Sequence, residues 1–476
     1  MKLPKYAQKQ QLTVWNDCIT PVDAYLNLRD NYTHSSLYES AEQNEVWGRH
    51  SFIGLGNLVT IEKKANEVII SHGKTTDIYP GQDPTKALEH VFKELGNQDN
   101  LPPALGYLSY DIIKLYEEIK DSPKDSLGIA DSFLILPEVI LSFDHFAQNL
   151  TIAVYSLDKK NNERLTSKVN KILAILSKPV DNLSGRLKKI NLSASDDLKF
   201  TSNITKANFL KNIEIAKQHI IEGDIFQVVL SQRWQCEYTK DPFLVYRSLR
   251  HVNPSPYLFF LAYPKFSIAG SSPEVLVKKT GPKLLSRPIA GTRPRGATEQ
   301  EDAKLAQELL KDEKELAEHK MLVDLARNDL GRISEFGSIK ITKYLSIENY
   351  SHVKHIVSTI EGKSLPNLSF SDLIKAVFPA GTLSGAPKIR AMQIIAALET
   401  EKRCFYGGGV CKVTANGDLD ACIAIRSAIF KDNKAYIQAG GGIVADSIGE
   451  FEYNESVNKA KAVFKAIQYA NSFENY

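Results

Sequence analysis

Cysteine is scarce, neither sign of charge is in excess and no apolar run is long; each shortage excludes a class of protein. The five cysteines, Cys18, Cys236, Cys404, Cys411 and Cys422, are odd in number, scattered and without a CxxC pair, which argues against a disulfide framework or a zinc site. Lys+Arg 59 against Asp+Glu 56 leaves a net charge of +3, so no basic footprint for nucleic acid or an anionic membrane is present. The most apolar run, LGIADSFLILPEVILSF, is broken by Asp131, Pro137 and Glu138, short of the ~18 apolar residues of a spanning helix. The beginning, MKLPKYAQKQ, lacks the apolar stretch of a secretory signal, and a reducing cytoplasm is the expected location. No GxxxxGK[ST] and no strand-associated GxGxxG occurs, which disfavours a nucleotide phosphate cradle.

What is present is a 476-residue chain, 43% hydrophobic and 24% charged, longer than one core usually grows, so two domains or one interlocked unit is expected. Residues 179–200 are polar and rich in Ser, Asn, Asp and Lys and read as a linker between an N-terminal domain, 1–178, and a second domain, 201–476. After the linker, Thr205 is expected to cap a helix whose Phe209, Ile213, Ala216 and Ile220 recur at helical spacing until Gly223. The stretch DIFQVVLSQRW reads as a strand that places Gln227 on a face with Ile225, Val229 and Ser231, where its amide must find a partner.

Chemistry-bearing residues concentrate in this second half. The turn-like PIAGTRPRG, residues 288–296, offers glycine amides, a hydroxyl and guanidinium groups suited to an anion. In KDEKELAEHKMLVDLARNDLGRI, a helix from about Glu313 puts Glu315 and Glu318 in line with Leu322 and Leu325, and carboxylates on a core-facing stripe need partners. The helix EFEYNESVNKAKAVFKAI repeats this with Glu452, Glu455, Lys459 and Val463. Together the two could surround Mg²⁺, although Glu455 and Lys459 alone also read as an i,i+4 ion pair. In GDLDACIAIRSAIF, Arg426 is expected on a strand face with the small Cys422, Ala424 and Ala428, leaving room for a carboxylate. Gly440, Gly441 and Gly442 are expected just after a strand with amides free for an anion, or as a plain bulge. FPAGTLSGAPKIR offers Thr382 and Ser384 before a helix starting near Pro387, and His355 is a general base or a hydrogen-bonded core histidine.

The ordered series GDIFQVVLSQR, NPSPY, SSPE, PIAGTRPRG, ELAEHKMLVDLARNDLGRI, FPAGTLSGAPK, YGGGV, GDLDACIAIRSAIF, QAGGGIVADS and ESVNKAKAV, with GYLSYD and SLYES upstream, resembles the chorismate-utilising enzymes. Within them it is most similar to the large subunits of anthranilate synthases. The resemblance implies an α+β fold of two interleaved domains built on antiparallel β-sheets with flanking helices. It implies addition of ammonia at C2 of chorismate with loss of the 4-hydroxyl, then elimination of pyruvate to give anthranilate, the committed step toward tryptophan. Carried onto this chain, Glu318 and Glu455 would hold Mg²⁺, with Glu452 in support, and Glu315 would be the general acid. Tyr406, Arg426 and the amides of Gly440, Gly441 and Gly442 would bind the enolpyruvyl carboxylate, with Lys459, Gly291 and Thr292 completing the cradle; Thr382 and His355 would assist catalysis.

Single residues separate the relatives. Water-adding members generally carry a lysine base where this chain has Gln227, and members that make aminodeoxychorismate typically read PIKGT with a nucleophilic lysine where this chain has Ala290. Direct attack by ammonia remains. No Cys-centred glutaminase segment is recognisable, so a separate glutamine amidotransferase subunit, in a hetero-oligomer, is expected to supply ammonia. The resemblance also implies a tryptophan site from SLYES and NPSPY, through Glu39, Ser40, Asn253, Pro256, Tyr257 and Leu258, with Tyr38 departing from the family's leucine. The alternatives are an aminodeoxychorismate synthase lacking the lysine and a non-catalytic chorismate- or tryptophan-binding regulator.

Overall fold

Along the strand Gly409–Val413, Val410 packs to one side and Cys411 to the other, and along Leu419–Ile423, Cys422 opposes Ala421 in the same way. Such alternation with both faces apolar requires cover on both sides, and the computed structural model supplies it. It describes residues 3–4, 7–41, 48–96, 98–120, 123–158, 162–178, 198–349 and 353–473.

Among the described residues are two antiparallel sheets of twelve strands each. The first runs from Gln8–Trp15 through His50–Leu55, Ser35–Glu39, Tyr257–Tyr263 and Ser427–Lys431 to Lys434–Ile443 and Gln227–Glu237. The second runs from Ile289–Pro294 and Val353–Lys363 through Val275–Thr280, Leu419–Ile423 and Gly409–Val413 to Ala104–Leu108 and Thr75–Pro80. Each sheet therefore takes strands from both sides of residues 179–200, a stretch that lies up to residue 197 outside the described residues.

The sheets face one another across a core containing Tyr107, Phe133, Val410, Phe259 and Ile429. Outside the first sheet pack the helices Pro21–Leu28, Asn162–Leu176, Pro242–Val252 and Gly449–Ser472; outside the second pack Pro84–Leu95, Phe370–Val377 and part of Glu313–Gly331. Local signals start these helices: Thr205 accepts from the Asn208 amide ahead of Lys206–Ile221, and Asp312 accepts from the Glu315 amide ahead of Glu313–Gly331. No helix among the described residues is long and apolar enough to cross a membrane. The broken apolar run at residues 127–143 gives two strands, Ser132–Leu136 in the second sheet and Val139–Asp144 in the first, with Pro137 and Glu138 where the chain crosses.

Two further crossings position the site. Phe266–Ser272 in the first sheet continues into Val275–Thr280 in the second, leaving Pro273 and Glu274 between them. Leu419–Ile423 in the second sheet continues into Ser427–Lys431 in the first, so Arg426 is not on a strand face with Cys422, Ala424 and Ala428 as its surroundings predict. It stands at the crossing with a left-handed φ of 51°. Two more expectations are corrected. PIAGTRPRG is not a free turn: Ile289–Pro294 is an edge strand bulged between Ala290 and Thr292, with Gly291 at φ 69°. Gly440, Gly441 and Gly442 do not follow a strand but lie inside Lys434–Ile443, beyond the Ala428–Ile437 pair that ends its ladder with Ser427–Lys431.

Candidate active site

The Gln227–Glu237 and Lys434–Ile443 strands of one sheet and the Ile289–Pro294 and Val353–Lys363 strands of the other enclose a cavity of about 380 Å³, in the ~300–1,000 Å³ range of small-molecule sites. The helices Glu313–Gly331 and Gly449–Ser472 close it with most of the stripes that the helical period predicts: Glu315, Glu318 and Leu322 from one, with Leu325 of the same stripe beside Gly381 outside it, and Glu452, Glu455, Lys459 and Val463 from the other. Gln227, Ala290, Gly291, Thr292, His355, Thr382, Tyr406, Arg426, Gly440 and Gly442 complete the predicted lining. Gly441 backs the same wall: a Cβ there would lie 3.2 Å from Glu455 Oε2 and 3.5 Å from Glu452 Oε2, so glycine is what lets the carboxylates approach the strand.

The carboxylates have few countercharges and differ in burial: Glu452 is buried, Glu318 half-buried, and the Glu455 side chain 44% exposed. Glu318 accepts from Gln227 Nε2 at 3.2 Å, and burial, reinforced by Glu315 and Glu455, raises its pKa. Glu452 is bonded by Ser447 Oγ at 2.7 Å and is also raised, first by burial and then by Glu455. Burial works to raise Glu455 too, but Lys459, 2.7 Å away, outweighs it and holds the group down. Gln227 is 3% exposed and its Oε1 is buried without a partner.

An orphaned acceptor on the side chain that reaches Glu318, in a cavity also lined by Glu452 and Glu455, fits a hard cation. Glu318, Glu452 and Glu455 do not form a closed cage, however. Among the described residues, the three-residue cluster with all ligand atoms within 4.8 Å of one another is His219, Glu222 and Asp224, far along the chain from these helices. An open set suits Mg²⁺, which keeps waters and a substrate anion in its shell.

The base and cradle residues are fixed from behind. His355 Nδ1 lies 2.8 Å from the Gly291 carbonyl and 3.2 Å from Thr292 Oγ1. A carbonyl only accepts, so Nδ1 carries the hydrogen and the lone pair of the neutral ring is on Nε2, while burial lowers the imidazole pKa. Arg426 Nη1 donates to the Lys459 carbonyl, and the Tyr406 hydroxyl, raised to about 12 chiefly by burial, is bonded by the Gly440 backbone. The arginines of PIAGTRPRG are engaged internally: Arg293 with Asp312 at 2.7 Å and Glu315 at 3.1 Å, Arg295 with Asp302 at 3.0 Å.

Sequence reasoning missed Glu274. It lies at the first of the two crossings, lines the cavity, accepts from Thr382 Oγ1 at 2.8 Å and is raised to about 7, mainly by burial. The available signal was a lone charge, Glu274, in SIAGSSPEVLV, a stretch otherwise of apolar and small residues.

A second cavity of about 310 Å³ also lies between the sheets, lined by Glu39, Ser40, Pro256, Tyr257 and Leu258. Pairing of Glu39 with Leu258 joins SLYES to NPSPY. Asn253 is not on its wall: its Nδ2 donates to the Ser271 carbonyl at 3.2 Å and secures the turn from below.

The described geometry agrees with known proteins. A family model for chorismate binding enzymes matches residues 34–465. The chain is 42% identical to the anthranilate synthase component 1 of Acetivibrio thermocellus over 96% of its own length and 95% of the relative's, and 39% identical to that of Aquifex aeolicus over 95% and 93%. The crystal structure of anthranilate synthase component I from Streptococcus pneumoniae superposes with a TM-score of 0.79 at 38% identity, covering 94% of this chain and 98% of that one. A menaquinone-specific isochorismate synthase from Escherichia coli, at 17% identity and a TM-score of 0.74, shares the fold. Matched by the family model over residues 34–465 and by relatives over nearly its whole length, this chain belongs to the chorismate binding enzyme family.

Proposed function

We propose that the chain is the chorismate-aminating large subunit of an anthranilate synthase, converting chorismate and ammonia to anthranilate and pyruvate. The observation that carries this reading is the pair Gln227 and Ala290 on the wall of the carboxylate-lined cavity: neither place, where relatives carry lysine, offers an amine as base or nucleophile. Ammonia is left to attack C2.

In this reading Arg426, Tyr406, Lys459 and the Gly440–Gly442 backbone bind the enolpyruvyl carboxylate and Gly291 and Thr292 complete the cradle. Glu318 and Glu455, with Glu452 in support, would hold Mg²⁺, which when bound would supply Lewis-acid stabilisation of the ring carboxylate and of negative charge on the departing hydroxyl. We assign protonation of that hydroxyl to Glu274, whose carboxyl is held by Thr382 and raised to about 7 by burial so that a large share stays protonated near neutral pH, because Glu315 is tied to the Arg293 guanidinium. His355, through Nε2, takes the C2 proton when pyruvate is eliminated.

A glutamine amidotransferase subunit supplies the ammonia, in a cytoplasmic hetero-oligomer, and tryptophan occupies the second cavity as feedback inhibitor. Purified protein with chorismate, Mg²⁺ and ammonium at mildly alkaline pH should develop anthranilate fluorescence. Accumulation of aminodeoxychorismate, or no product, would overturn the proposal.

A further inference from the structure

Arg403 lies outside the cavity wall, yet three pieces of that wall rest on it. Its side chain is 1% exposed and forms a two-pronged ion pair with Glu399, Nε to Oε2 at 2.8 Å and Nη2 to Oε1 at 2.7 Å. Two further donors go to backbone carbonyls: Nη1 to Leu383 at 2.5 Å and Nη2 to Val229 at 2.7 Å. One face of the guanidinium approaches the Tyr406 ring, 5.7 Å from its centroid, and Tyr110 stands 4.7 Å away. Glu399 extends the clamp by accepting from both the amide and the hydroxyl of Ser231, each at 2.8 Å.

Each point held is next to a site residue. Leu383 follows Thr382, which donates to Glu274. Val229 and Ser231 lie on the strand that begins with Gln227, the amide that reaches Glu318. Tyr406 itself lines the cavity. We propose that Arg403 is a positioning residue for the reaction: one buried guanidinium sets the spacing between the Thr382 loop, the Gln227 strand and Tyr406. The arrangement needs arginine, because a planar fork can meet a carboxylate and two carbonyls in its plane while presenting flat faces to rings. Lysine provides three donors from a single point and no face.

The inference rests on the proposed function, and one experiment separates the two. Anthranilate formation is measured for wild type, Thr382→Val, Arg403→Lys and the double variant, with thermal melting of each to establish folding. Wild type without anthranilate would overturn the functional reading whatever the variants do. Given an active wild type, Arg403→Lys should reduce kcat by about 100-fold, the scale of a displacement near 1 Å at a reacting group. In the Thr382→Val background the same change should cost clearly less, because the Thr382 contact it acts through is already gone. Should Arg403→Lys not fold, Glu399→Gln, which keeps the shape and weakens the clamp, takes its place in the cycle. Fully multiplicative losses, or wild-type kcat in the clamp variant, would overturn the positioning role.

Discussion

Two cavities lie between the same pair of sheets, and they treat charge differently. In the one that joins SLYES to NPSPY, two of the three lining carboxylates have a cation: Glu39 has Arg250 at 2.9 Å and the Tyr246 hydroxyl, Asp420 has Lys278 at 3.3 Å and Tyr257 at 2.9 Å, while Asp418 accepts from the Gly281 amide at 2.7 Å. Even Lys412 there sits over the Phe52 ring, 3.7 Å from its centroid. In the other, Glu315 is paired with Arg293 at 3.1 Å and Glu455 with Lys459 at 2.7 Å, but Glu274, Glu318 and Glu452 are bonded by a threonine, an amide and a serine, all uncharged. Matched charges make a rigid wall that recognises. Buried carboxylates with neutral partners remain ready to take a proton or a cation, which is what a site of chemistry requires.

The largest effect expected from breaking this contrast is at Glu455. Glu455→Ala should bring anthranilate formation below detection, with no recovery on raising Mg²⁺, while the melting temperature shows the fold retained. Chelation of the wild type should give the same loss, reversed by Mg²⁺. Wild-type turnover in the variant would move the metal elsewhere.

Next is Glu274. Glu274→Gln should lower kcat by about 10²–10⁴-fold as the general acid is lost. Its pKa also links to stability. Raised from 4.5 to about 7 in the folded chain, the group contributes stability that is fully present below its unfolded pKa and is lost as pH rises through about 7, a span worth ~3 kcal/mol. Urea unfolding at roughly pH 5 and pH 8 should therefore show wild type losing more stability than Glu274→Gln over that window. Equal losses would mean Glu274 is not held neutral.

The smallest catalytic effect belongs to the matched cavity. Glu39→Ala leaves the buried Tyr246 hydroxyl without its acceptor and should destabilise the fold by about 1–3 kcal/mol, read by urea unfolding, yet leave turnover near wild type and remove sensitivity to tryptophan. A large fall in kcat would erase the division between the cavities.

Much of the site was legible where periodicity alone decides direction. A helix repeats every 3.6 residues whatever surrounds it, so the stripes Glu315–Glu318–Leu322 and Glu452–Glu455–Lys459–Val463 could be drawn correctly and do meet at one cavity. Failure came where the chain changes sheets. IAIRSAIF has an unbroken strand-like composition, and nothing in it announces that Arg426 adopts a φ of 51° between two strands of different sheets. Glu274 escaped notice for the same reason: its burial comes from the crossing after Pro273, a long-range fact, not from any local pattern. The strand identity of PIAGT and of the three glycines was likewise hidden, because glycine reads locally as a turn while here it admits the side chains of Glu452, Glu455 and Gln227 against the backbone.

The central claim, that free ammonia attacks chorismate in this cavity without an enzyme-bound amine, is tested most directly by mass spectrometry of a reaction run with ¹⁵N-labelled ammonium and Mg²⁺. The account predicts ¹⁵N in the anthranilate and an unmodified protein mass at every time point. Labelled aminodeoxychorismate as the end product, or a covalent substrate adduct on the chain during turnover, would contradict it.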